Sequence, residues 1–171
     1  MPSLVERSDS LFPTAIVGSL PRPSYVREIV VDGWQPEGWE RRLDAGVSYA
    51  ISVQEAAGVD VVSDGEWRRA SYIGIIAEMA HGFELGYADD GRPWTLVTGE
   101  VSSKAQGVIA REVAFVRAHT DRLIKATLPS PALLAERMWD AERSSGVYES
   151  PRAFAEAVMP LLRQEAALVA A

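Results

Sequence analysis

The sequence predicts an α/β protein in which short parallel strands alternate with helices. Two observations carry this. Three apolar or β-branched runs, "AIVGSLPRP" (15–23), "VDVVSDGEWRR" (59–69) and "IKATLPSP" (124–131), each break into a loop of small, acidic or proline residues. The strand-like runs are each followed by a segment whose apolar residues recur at helical spacing. Such alternation implies parallel pairing with right-handed crossovers, either in an open doubly wound sheet or in part of a (βα)8 barrel. Three loops of this kind point to a site assembled at one end of the sheet.

In order, strands are expected at Thr14 to Val17, Val59 to Ser63, Thr95 to Val101 and Leu123 to Leu128, giving four βα units. After the first loop, Trp39, Leu43, Val47, Ala50, Ile51 and Gln54 follow the three-and-four spacing of a helix face. Gly58 then stands where a helix end favours positive φ. Tyr72, Ile75, Ile76, Met79 and Phe83 form a second stripe, and Ile109, Val113 and Val116 a third. The last helix starts at Ser150 as N-cap with Pro151 in its first position, carries Phe154, Val158, Leu161 and Leu162 on one side, and is expected to kink at Pro160. "GYADDGRPW" (86–94) reads as a polar, turn-rich insertion, and "DAERSSGVYES" (140–150) as a loop between two helices.

Composition bounds the function. The 171 residues, 47% hydrophobic and 24% charged, are enough for one domain, 1–171, with a real core. A net charge of −7 with scattered basic residues argues against nucleic acid or an anionic membrane as partner. The sequence has no cysteine, hence neither a disulfide framework nor a thiolate nucleophile. "MPSLVERSDSLFPT" lacks a signal-like apolar core, and no stretch approaches the roughly 20 apolar residues of a membrane span, so a cytoplasmic location is expected.

The loops carry the candidate chemistry. At the end of the first strand, the Gly18 and Ser19 backbone and hydroxyl can present donors to a carboxylate; the alternative is a tight turn stiffened by Pro21 and Pro23. In "SDGEWRR", Glu66 can hold an ammonium, with Asp64 a secondary candidate; the alternative is an ordinary Asp64-Gly65 turn followed by a helix-start acid. Arg68 and Arg69 can bind an anionic group, although helix-surface arginines are usually solvated. His81 and His119 are not at metal-ligand spacing, and no metal site is expected.

"VGSLPRP", "AGVDVVSDGEWRR", "HGF" (81–83), "IKATLPSP" and "AFAEAVMPLLRQEAALVAA" together resemble, in order and spacing, the first half of the catalytic barrel of cobalamin-independent methionine synthase and its shorter relatives. The resemblance covers nearly the whole chain from Thr14 and selects the (βα)8 TIM-barrel type, here about its first four units. It implies a methyl transfer from a folate donor to a zinc-bound homocysteine thiolate. It also implies that the "GS" loop and Glu66 bind the amino acid, and that Trp139 lies near an aromatic that stacks on the pterin. The family's zinc ligands and an acidic "DEP"-like strand end would follow Ala171. The last helix ends at "AALVAA" without a terminator, and a full barrel needs about 250 residues. The expectation is therefore a half-barrel that is inactive alone and holds no cofactor, with zinc and a methyl-folate belonging to a complete barrel. Its exposed strand edges invite a homo-oligomer or a complementing half. The alternative is a non-catalytic half-barrel that dimerises or pairs with a second subunit and binds a small amino acid or organic acid.

Overall fold

A computed structural model describes residues 11–89 and 91–171. The N-terminal segment examined for a leader lies largely outside them, as does Asp90. In chain order the elements are α1 (Ser24–Val30), α2 (Trp39–Ala56), β1 (Val61–Val62), α3 (Ile76–Met79), β2 (Ala80–Tyr87), β3 (Pro93–Ser103), α4 (Val108–Arg117), β4 (Leu123–Ile124), α5 (Pro131–Met138) and α6 (Pro151–Ala170). The chain divides into two compact units, one built chiefly from residues 11–70 and 109–126, the other from residues 71–108 and 127–169.

The first unit contains the parallel strands, and they are short. β1 pairs with β4, Val61 opposite Leu123 and Val62 opposite Ile124, while Ala15 makes a single parallel bridge to Val61. The expected first strand is thus one bridge long. Thr14 and Asp60 reinforce it, since the Thr14 amide and hydroxyl both donate to Asp60 Oδ2 at 2.7 and 2.8 Å. The predicted stripe of α2 is buried: Leu43, Val47, Ala50 and Ile51 pack with Val26, Val62, Trp67 and Val116. Gln54 completes this face by joining the sheet. Its side-chain amide donates to the Ser63 carbonyl and accepts from the Ser63 amide at 2.8 and 2.9 Å, so a side chain extends the ladder where β1 ends. Gly58 has φ of +76°, the left-handed conformation its place after the helix calls for.

The second unit corrects the predicted order. Thr95 to Val101 is not a third parallel strand: it lies in β3, which pairs antiparallel with β2 in a hairpin. The stretch taken for an insertion is the hairpin's turn, where the Ala88 amide donates to the Arg92 carbonyl and the Gly91 amide to the Ala88 carbonyl. Three positions, at Ala15, β1 and β4, therefore form the parallel sheet among the described residues, instead of the four expected. The stripe from Tyr72 to Phe83 is also not one helix. Only Ile76–Met79 is α-helical, and Phe83 stands on β2, opposite Val97. The physical reason is at Gly82, whose φ of +99° and register shift between His81 and Phe83 form a bulge instead of a helical turn. α6 begins as predicted, with the Ser150 hydroxyl accepting from the Ala153 amide, and runs on through Pro160 to Ala170.

Candidate functional site

The site residues of the first unit meet in the turn that follows β1. Gly65 has φ of +68°, and Glu66, a residue with a side chain, has φ of +57°. A left-handed conformation costs a non-glycine residue of order 1–2 kcal/mol, so surrounding bonds must hold it. They are present. Asp64 Oδ1 accepts from the Glu66 amide at 2.9 Å, and Ser63 Oγ from the Gly65 amide at 3.2 Å. Across the chain, the Leu20 amide donates to the Gly65 carbonyl at 3.1 Å and the Trp67 indole donates to the Leu20 carbonyl at 3.2 Å. The Arg22 Nη2 donates to the carbonyls of Glu66 and Arg69 at 2.8 and 2.6 Å. At position 65 an added Cβ would stand 3.1–3.2 Å from the Leu20 side chain, and the positive φ favours glycine.

This frame brings two predicted residues together. The Ser19 hydroxyl donates to Glu66 Oε2 at 2.6 Å, although 47 positions separate them. Glu66 and Asp64 are buried while Gly18 and Ser19 are exposed. Asp64 Oδ2 is buried without a protein donor, as Arg22 Nε is without an acceptor. Ser19, Leu20, Pro21, Arg22, Arg27 and Val31 line an open depression of about 460 Å³. The Ser19 hydroxyl, the Glu66 and Asp64 carboxylates and the Arg22 guanidinium are gathered around this turn, with the two carboxylates buried and outside the lining of the depression. The helix-start alternative for Glu66 is removed, because no helix follows until Ile76.

The other candidates have structural partners. Arg69 is not a surface arginine: it is 2% exposed, with Nε and Nη2 donating to Glu112 Oε2 at 2.9 and 2.5 Å. Arg68 donates to Asp44 Oδ1 at 2.7 Å and lies over the Phe115 ring at 4.5 Å. Trp139 belongs to the second unit, where its indole donates to the Tyr148 carbonyl at 2.8 Å. His81 is exposed on β2, and His119 pairs with the Phe115 carbonyl and stacks on that ring. Lys125 Nζ donates to the Ile16 carbonyl, tying β4 to the first strand position.

Two contributors escaped the sequence reading. Arg22 stands between Pro21 and Pro23 with no spacing that marks it. Glu112 sits three residues after Ile109 and one before Val113, an acid on the apolar stripe of α4, and that placement was its signal. Burial pushes the Glu112 carboxyl up to about 7, against the opposing pull of the Arg69 guanidinium. Burial disfavours the Arg69 cation, yet its bonds to Glu112 outweigh this and hold its pKa above the ordinary value. Desolvation lowers that of Arg22.

Residues 12–136 match the family model described as the catalytic domain of cobalamin-independent synthase. The chain belongs to that family. Similar proteins include the 5-methyltetrahydropteroyltriglutamate–homocysteine methyltransferase of Thermosynechococcus vestitus, 26% identical over 71% of this chain and 17% of its own length. The methionine synthase of Sulfolobus acidocaldarius is 28% identical over 74% of this chain and 40% of its own. The fold is shared with a B12-independent methionine synthase from Shewanella sp. W3-18-1, solved in complex with selenomethionine, at a TM-score of 0.75 and 24% identity over 94% of this chain and 48% of that one. The chain therefore spans less than half the length of each of these relatives. The zinc that the family resemblance implies has no fitting ligand set here: the sequence has no cysteine, and among the described residues no three His, Asp or Glu side chains are grouped to hold a metal. No helix among the described residues is long and apolar enough to cross a membrane.

Proposed function

We propose that the first unit is the amino-acid end of a homocysteine S-methyltransferase site. In this reading the Gly18-Ser19 loop receives the ligand's carboxylate, Glu66 accepts its ammonium, and Asp64 Oδ2 supplies a second acceptor. The observation that carries it is the Ser19 to Glu66 hydrogen bond, which joins a carboxylate-binding loop to an ammonium acceptor across 47 positions. The selenomethionine bound by the Shewanella protein and the homocysteine in the name of the Thermosynechococcus protein support an amino acid carrying sulfur as the ligand class. In the reaction that name describes, the methyl–nitrogen bond of the donor breaks, a methyl–sulfur bond forms, and the proton lost by the thiol is balanced by one gained at the donor nitrogen. The residues of this chain would bind and orient the amino acid; the donor and zinc belong to parts of the site that they do not supply.

The same proposal takes the chain as the opening part of a (βα)8 barrel acting in the cytoplasm. With the hairpin set aside, the parallel strand positions number three, not four. Completion by a second copy or a complementing half is supported by Leu11, Phe12 and Val17, which are 86%, 82% and 95% exposed beside a strand position that makes one bridge. Light scattering is expected to report a dimer or larger; a compact monomer at micromolar concentration would remove this part.

Calorimetric titration with methionine tests the ligand. Glu66→Gln should weaken binding by about 1–3 kcal/mol, the scale of a hydrogen bond to a charged group, with the melting curve nearly unchanged. Equal affinities in the two proteins would take Glu66 out of the site.

A further inference from the structure

We infer that Glu112 is a positioning residue for Glu66, acting through Arg69 to fix the turn that presents the Glu66 carboxylate. This rests on the proposed role of Glu66 as ammonium acceptor. Residues 64–69 form one tight turn, strained at Glu66, and Arg69 is its last residue. Arg69 is secured at both ends: its carbonyl accepts from Arg22 Nη2, and its side chain bonds Glu112 through two nitrogens. The same Arg22 nitrogen donates to the Glu66 carbonyl at 2.8 Å. One arginine thus spans both ends of the strained segment, and the other anchors its far end to α4. A fork-shaped guanidinium held at two nitrogens fixes direction as well as distance. Removing the Glu112 charge would weaken both bonds from the Arg69 side chain and loosen its hold on the far end of the turn, easing the left-handed Glu66 backbone toward a lower-energy conformation.

The surroundings make this hold sensitive to pH. Glu112 faces Arg69 and Arg68 as cations and Asp64 as an anion, while Arg69 also feels Asp64 and Glu66. With the Glu112 carboxyl pushed up to about 7 by burial, its charge is present above neutral pH and lost below it. Deprotonation strengthens the bond to Arg69, so the turn is expected to tighten as pH rises from 6 to 8.

Two measurements on the full chain test the inference. In the ligand-free protein, amide hydrogen exchange at Glu66 and Trp67, corrected for intrinsic rates, should show protection rising several-fold from pH 6 to 8, with Ala50 and Ile51 of α2 unchanged. In Glu112→Gln that dependence should vanish, and protection of the turn at pH 8 should fall about tenfold; Arg69→Lys, which keeps the charge but loses the fork, should behave similarly. For binding, Glu112→Gln should raise the methionine Kd at pH 8 at least fivefold, and the double variant with Glu66→Gln should bind no more weakly than Glu66→Gln alone. Turn exchange that ignores both pH and Glu112→Gln overturns the inference, as do fully additive losses in the double variant. If turn exchange follows Glu112 while the wild type binds no methionine, the positioning role stands and the ligand reading fails.

Discussion

The two units use opposite means of holding backbone in place. In the hairpin, β2 and β3 pair in register from Phe83 opposite Val97 to Tyr87 opposite Pro93, so main-chain hydrogen bonds carry the structure. In the first unit the parallel ladder is two residues long, and its loops are fixed by side chains reaching across more than forty positions: Ser19 to Glu66, Arg22 to the Arg69 carbonyl, Trp67 to the Leu20 carbonyl and Arg69 to Glu112. A ladder tolerates most side-chain changes because the backbone makes its bonds. A side-chain network has no such reserve, but it can place charged groups where a ligand needs them. Side-chain substitutions should therefore cost more in the first unit's network than in the hairpin.

The largest contrast is at the buried ion pair. Arg69→Ala removes the cation hydrogen-bonded to the Glu112 carboxyl, which is 7% exposed, and removing one member of such a pair typically costs about 3–5 kcal/mol. Urea unfolding at pH 8 should show a loss of that size. A loss under about 1 kcal/mol would mean that the network does not carry the first unit, and the comparison would fail.

Next in size is the pH dependence of stability. Glu112 is raised from an ordinary 4.5 to about 7, so between those values the folded chain keeps a proton that the unfolded chain has released. Its contribution is full below pH 4.5 and is lost as pH rises through 7, with a ceiling of roughly 3 kcal/mol. Melting temperature should therefore carry a downward component from pH 4.5 to 7 that Glu112→Gln lacks; identical profiles for the two proteins would exclude it. The ionised form that tightens the turn is thus the form that costs stability, a trade common where charge is buried for a task.

How much of this was legible depended on whether the signal was local. The α2 stripe, the Gly58 terminator and the Ser150-Pro151 start of α6 rest on spacing and capping, and all three are present. The hairpin was misread because "FELGY" and "WTLVTGEV" look like buried strand or helix face until paired. The dipeptide before Arg92, an Asp-Gly pair between such runs, is a strong short-range hairpin signal. Ser19 and Glu66 were legible as types suited to an amino acid and as neighbours at adjacent strand ends, whereas the hydrogen bond between them is visible only in the structure. The Arg69–Glu112 pair was not, because two charges 43 positions apart give no local sign of being buried together. Only the acid on the inward face of α4 hinted at it.

The third test probes the hairpin where its ladder breaks. At Gly82 an added Cβ would stand 2.7 Å from the backbone carbonyls of Gly99 and Glu100, with φ at +99°. Gly82→Ala should cost roughly 1–3 kcal/mol and speed amide exchange along β2 and β3. At Gly65 the nearest atoms belong to the Leu20 side chain, at 3.1–3.2 Å, which can shift. Gly65→Ala should therefore cost less, about 1 kcal/mol. The reverse order would mean that the side-chain frame is the stiffer of the two.

The smallest effect is expected at the exposed ion pair of the second unit. Arg143 donates to Glu84 at 2.5 Å, the same distance as Arg69 to Glu112, but the side chains are 40% and 50% exposed against 2% and 9%. Water already solvates both partners of the hairpin pair, so their attraction is screened and ordering two long side chains offsets most of it. Exposed pairs of this kind contribute about 0–1 kcal/mol, and Glu84→Ala should fall in that range, with the loss shrinking further in 1 M salt. The Arg69→Ala loss should barely respond to salt, because its surroundings exclude mobile ions. Equal salt sensitivity in the two variants would mean that the first unit's network is open to solvent, and that burial cannot be what raises the Glu112 carboxyl.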